Sequence, residues 1–148
     1  MRIMCDTNVL VRAALSPGGA ASELMRMIAL DHALITSSAQ FAELLDVLRR
    51  PAIVALHKLG ERGIRRYISR IFKLARVVTL PAEIPLIVAH DPKDNPIVMT
   101  AISGNAEFLY TLDRHLRTAQ VIEYCRTYGV EIISDADLLA RLRASSPQ

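Results

Sequence analysis

The stretch HDPKDNPIVMTA, residues 90–101, sets two carboxylates, Asp91 and Asp94, beside prolines and directly ahead of an apolar run. A third acid, Asp6, closes the short apolar segment RIMC, and a fourth, Asp113, closes FLYTL. Carboxylates brought together repel one another, and a hard divalent cation such as Mg²⁺ or Mn²⁺, bound through oxygen, removes that conflict. One or two such ions could orient a phosphodiester, activate a water and stabilise a leaving oxygen. The competing account is local, because Asp, Asn and Pro are also the residues of turns and helix starts. Here Pro96 fits the first helical position and Asn95 the cap before it, which leaves the Asp94 carboxylate free. Asp91 is either a turn residue or an acid at the rim of the site.

Whether these acids meet depends on the elements between them. Arg2 to Cys5 reads as a strand, and NVLVRAAL as a helix stopped by SPGG. A helix over about Ala20 to Leu30 leads to the strand ALITS, and a further helix opens at Ser37 or Ser38 with the Ser37/Gln40 spacing of a capping box. That helix runs through FAELLDVLRR to Pro51, with Phe41, Leu44, Leu45 and Leu48 as its apolar stripe. Glu43 lies roughly opposite Phe41 and, on the residues alone, is a solvated glutamate. From Ile64 the apolar residues Ile64, Ile68, Ile71, Phe72 and Ala75 share one helical face. RVVTL is a strand, and the connection from Leu80 to Asn95 is long enough to suggest function. After the helix at Pro96 come the strand FLYTL, a helix around Ala119 to Tyr128 stopped by Gly129, the strand VEIIS and a closing helix, DADLLARLRA. Strands alternating with helices predict an α/β fold with a mainly parallel sheet of about five strands, covered on both faces. In such sheets ligands bind beyond the carboxyl ends of the strands, where Asp6, Asp113 and the helix following Asp94 all point.

The 148 residues fit one domain over 1–143 with a loose tail over 144–148. Hydrophobic residues make up 51% and aromatic residues 5%, so aliphatic side chains must build the core. Cys5 and Cys125 lack the spacing of a zinc site and suggest reduced thiols, and no run approaches the roughly 18 apolar residues of a membrane span. These features predict a cytoplasmic protein with no membrane partner. The net charge of +3 is unevenly spread: nine of the 18 Lys and Arg residues lie between Arg49 and Arg76, against the single acid Glu61. Arg62, Arg65, Arg66, Arg70 and Lys73 are either a solvated helical face or a contact for RNA phosphates or an acidic partner segment. His57, His90 and His115 read as ordinary surface or satisfied histidines. A haloacid-dehalogenase-like phosphatase would need an aspartate where Asn8 stands, and no glycine-rich loop follows the first strand for a nucleotide.

Taken together and in order, MCDTNVLVRAAL, the glutamate of FAELLDVL, DPKDNP and YTLD resemble the acidic motifs of the PIN-domain nucleases. The similarity is strongest to the PIN-family toxins of bacterial and archaeal toxin–antitoxin pairs, of the VapC type, and covers nearly the whole chain. It implies a PIN-like three-layer fold and a ribonuclease that uses Mg²⁺ or Mn²⁺. It also implies RNA as substrate, a small antitoxin as partner and a homodimer. Asp6, Glu43, Asp94 and Asp113 match the acids that hold the metal, and Thr7, Asn8, Asn95 and Thr111 match polar positions beside it. Asp91 matches an additional acid of the toxin subgroup. The sequence departs at Leu112, where many members carry glycine. A non-catalytic RNA-binding or scaffold module on the same fold is the alternative expectation.

Overall fold

The computed structural model describes residues 1–145. Its elements are β1 (Arg2–Cys5), α1 (Thr7–Leu15), α2 (Ala20–Asp31), β2 (Ala33–Ser37), α3 (Ser38–Arg49), α4 (Pro51–His57), α5 (Gly60–Leu74) and β3 (Ala75–Val78). A single 3-10 turn, Pro92–Asp94, precedes α6 (Asn95–Ser103), followed by β4 (Phe108–Tyr110), α7 (Ala119–Thr127), β5 (Glu131–Ile133) and α8 (Asp135–Ser145). The expected tail lies outside the described residues from residue 146 onward.

The strands form one parallel sheet in the order β3-β2-β1-β4-β5, with Met4 opposite Ile35 on one side and Leu109 on the other. Period-2 alternation divides the strand residues between two cores. Ile3, Cys5, Leu34, Phe108 and Tyr110 face a layer built from α1, α2, α3, α5 and α8, whereas Met4, Ile35 and Leu109 face α6 and α7. The three-layer α/β arrangement expected from the alternation of elements is therefore present. Cys5 and Cys125 are free, buried and in different cores, so they sit on opposite faces of the sheet.

Strand order explains where a site can form. The chain moves outward from β1 through β2 to β3, then returns to place β4 on β1's other side. Connections leaving β1 and β4 therefore diverge, opening a crevice at the carboxyl edge. The return passes through residues 79–91, which carry no regular secondary structure but bury Ile87 and Val88 in the second core. Gly104, just after α6, allows that helix to lie close on the sheet: a Cβ there would stand 2.2 Å from the Ile35 Cγ2. Gly104→Ala is accordingly expected to cost about 1–3 kcal/mol through overpacking, read as a lower midpoint in chemical denaturation. Among the described residues no helix is long and apolar enough to cross a membrane.

Helix α3 confirms its stripe in part: Leu44 and Leu48 are fully buried and joined by Val47, while Phe41 and Leu45 are only partly covered. In α5, Ile64 and Ile71 are buried, but Phe72, expected on the same face, is 53% exposed and packs its ring against Phe41 at 4.8 Å.

Candidate metal centre

Asp6 leaves the end of β1 and lies in the crevice between β1 and β4. Its backbone N–H donates to the Tyr110 carbonyl at 3.0 Å, extending the ladder by one step, and its side chain is only 3% exposed. On the neighbouring strand extension the buried Thr111 hydroxyl donates to Asp6 Oδ2 at 2.8 Å and accepts from the Asp113 N–H at 3.0 Å. One threonine thus fixes the two strand-end acids relative to each other. Asp113 Oδ1 in turn accepts from the His115 N–H at 2.7 Å, a second tight turn that holds the carboxylate. Leu112, the point of departure from the usual pattern, is 43% exposed and does not enter the core.

Glu43 reaches this edge by a route its helix stripe does not show. Ser37 caps α3 by accepting from the Gln40 N–H at 3.4 Å, as the spacing predicted. The Gln40 side chain, instead of reaching back in a capping box, donates to the Cys5 carbonyl at 2.6 Å and accepts from the Thr36 hydroxyl at 2.7 Å. This buried amide ties α3 to the end of β1. Glu43, three residues on, shares Gln40's face of the helix, and its Oε2 accepts from the Thr7 hydroxyl at 2.6 Å. Asn8, expected beside the acids, has an exposed side chain, although its backbone N–H bonds to Asp6.

At the start of α6 the structure corrects one expectation. Asn95 is not the cap: it is helical, and its Oδ1 accepts from the buried N–H groups of Ile87 and Val88 at 3.0 and 2.8 Å. The tertiary demand of the long connection outweighs the local one. Asp94 precedes it without capping, and its Oδ2 is buried with no hydrogen-bond partner. Asp91 is the turn residue, Oδ1 accepting from the Lys93 N–H at 3.3 Å, while Oδ2 lies 4.0 Å from His115 Nδ1.

The electrostatics follow from this crowding. Burial pushes Asp6 up to about 6, with the charges of Asp113 and Glu43 adding to the rise and the Thr111 and Asn8 hydrogen bonds opposing it. Asp94 is pushed up to about 7, first by burial and then by the charges of Asp6, Asp113, Asp91 and Glu43. No lysine or arginine among the described residues forms an ion pair with Asp6, Glu43, Asp94 or Asp113. Four acids that sense one another, one with an orphaned buried oxygen and none paired with a lysine or arginine among the described residues, fit a divalent cation as the missing counter-charge, with the His115 imidazole beside them at 3.9 Å from Asp113 Oδ1.

Arg62, Arg65, Arg66, Arg70 and Lys73 are all exposed, and Arg65 shares Glu61 with Arg49 in ion pairs on the α5 surface. His57 is the satisfied histidine expected of it, accepting from the Leu59 N–H and donating to the Leu48 carbonyl. His115, read from the sequence as an ordinary surface or satisfied histidine, stands beside the acids. Its Nδ1 lies 3.9 Å from Asp113 Oδ1, and its two-residue spacing from Asp113 was the available signal.

Residues 2–115 match the PIN domain family PIN_3. The chain belongs to the PIN domain family. The fold of this PIN domain is similar to that of a chain in the crystal structure of VapBC2 from Rickettsia felis bound to a DNA fragment from their promoter. The TM-score is 0.61 at 16% identity, over 90% of this chain and 98% of that one. No curated protein matches the sequence.

Thr111 gives this PIN domain a direct test of its architecture. Thr111→Val removes the donor to Asp6 and the acceptor for Asp113 while keeping the shape. Cation affinity, measured by titration calorimetry, is expected to fall about 10- to 100-fold, as for other residues that orient metal ligands.

Proposed function

We propose that this PIN domain, a single domain over residues 1–143, is a Mg²⁺- or Mn²⁺-dependent ribonuclease and the toxin of a toxin–antitoxin pair. The observation that carries the reading is the buried, unpartnered Asp94 Oδ2 among carboxylates that, among the described residues, pair with no lysine or arginine. Membership of the PIN family and the likeness to a chain of a VapBC complex support the nuclease and toxin roles.

Asp6, Glu43, Asp94 and Asp113 would hold the cation, with Thr111 and Thr7 setting the orientation of three of them. Asn95 acts at one remove, by fixing the backbone that presents Asp94. When bound, the cation would supply charge neutralisation at the phosphoryl group and a more acidic water. Beside Glu43 a cleft of about 380 Å³, lined in part by Gln40, Lys93 and the ion pair of Asp46 with Arg50, offers the Lys93 ammonium to an RNA backbone. The exposed basic residues of α5 add long-range attraction for the same polyanion or for an acidic segment of an antitoxin. The protein would act in the cytoplasm as a homodimer.

The test is an RNA panel incubated with the purified protein and Mn²⁺ or Mg²⁺, with and without EDTA. Cleavage that EDTA abolishes, and that Asp6→Asn abolishes, is expected. RNA left intact under every metal condition would leave the scaffold alternative standing.

A further inference from the structure

Among the described residues, the tightest grouping of potential metal ligands is not the quartet of acids but Asp91, Asp94 and His115. One ligand atom from each lies within 4.8 Å of the others. Donors around one first-row or Mg²⁺ ion, each at about 2.1 Å, are separated by roughly 3 to 4.2 Å. The 4.0 Å between Asp91 Oδ2 and His115 Nδ1 falls in that range and is too long for a hydrogen bond, so an ion fits between them where a shared proton does not. Two of the three ligands, Asp91 and His115, are also held independently of each other. Asp91 is fixed through its other oxygen by the Lys93 N–H, and His115 by its backbone bond to Asp113. Asp94 carries two oxygens and so can belong to two positions at once.

Resting on the metal-dependent reading above, we propose that Asp91, Asp94 and His115 form a second cation position that shares Asp94 with the quartet. Its imidazole selects a transition ion over Mg²⁺. An imidazole donor raises affinity along the first-row series, whereas Mg²⁺ demands oxygen and gives up water reluctantly. The quartet is all-oxygen and accepts either ion; the second position, with nitrogen in its set, does not. His90, whose ring centroid lies 6.5 Å from that of His115, is the nearby imidazole that must be distinguished from it.

The probe is Mn²⁺ on the full chain. Calorimetry should give two equivalents for the wild type and one for Asp91→Asn and His115→Ala, with the second site weakened at least about tenfold. Pulsed paramagnetic resonance of the Mn²⁺ protein should show ¹⁴N modulation that His115→Ala removes and His90→Ala keeps. Mg²⁺ should bind with one equivalent in the wild type and in His115→Ala alike. One Mn²⁺ equivalent, no ¹⁴N modulation in the wild type, or modulation that follows His90 would overturn the second position. Cleavage of RNA with Mg²⁺ would meanwhile continue to support the ribonuclease reading. Failure to bind any Mn²⁺ would remove both.

Discussion

Asp94→Asn is expected to reduce metal-dependent RNA cleavage by more than about 100-fold, the upper range for residues that merely orient a ligand, while making the metal-free protein more stable. Both effects follow from one carboxylate with which no lysine or arginine among the described residues pairs. Its folded pKa of about 7 stands above the ordinary 3.8, so the folded state holds the proton more tightly than the unfolded chain. A raised carboxyl contributes a penalty to folding that is absent below about pH 4, grows as pH rises toward 7 and is then fully present. Replacing it with the neutral amide removes that penalty. Linkage alone would give about 4 kcal/mol for a shift of that size, but Asp94 is half open to water, and a gain on the order of 1 kcal/mol is the expectation.

Thermal melts in EDTA check the sign: the variant should melt above the wild type at pH 8 and level with it near pH 4. Adding Mn²⁺ should reverse the order, since a ligand at 100 times its dissociation constant stabilises by about 2.7 kcal/mol only the protein that binds it. A variant that cleaves as well as the wild type, or that melts lower without metal, would rule out Asp94 as a ligand held at an electrostatic cost. Asp6 is pushed up to about 6 by the same burial, so metal-free stability should decline across the acid range even with Asp94 removed.

How far this site could be read without coordinates depends on the range of the interactions that build it. Apart from α4, which was not read, the strands and helices follow from local periodicity, and the parallel order from their alternation, so the convergence of Asp6 and Asp113 at one edge was legible. Glu43 was not, on its residues alone. Its place in the site comes from Thr7, 36 positions away, and from the Gln40 amide bonding to Cys5 across the sheet edge. A helix stripe of apolar residues reports only which side faces the core, and Glu43 lies on a polar line, Ser37–Gln40–Glu43, that faces the crevice. His115 was passed over for a related reason: its neighbours Asp91 and Asp113 come from either side of α6, and a lone histidine carries no periodic signal. Phe72 shows the opposite failure. Helical spacing put it on the apolar face, but that face turns outward at the end of α5, where its ring packs against Phe41.

The misreading of Asn95 changes a prediction as well as a description. As a cap its loss would cost about 1 kcal/mol. The structure instead gives Asn95 Oδ1 two buried backbone donors, the N–H groups of Ile87 and Val88, at 3.0 and 2.8 Å. In Asn95→Ala neither donor has a replacement at that position, and each unsatisfied buried group costs about 1–3 kcal/mol. A loss of about 2–6 kcal/mol is therefore expected, measured as a lower denaturation midpoint in the absence of metal. The same loss should release the segment around Ile87 and Val88, so amide exchange at these two positions should rise out of proportion to the rest of the second core. A loss near 1 kcal/mol with exchange there unchanged would return Asn95 to the role of a cap. Adjacent residues thus carry opposite expectations: Asp94 is held where its charge strains the fold, and Asn95 secures the loop that holds it there.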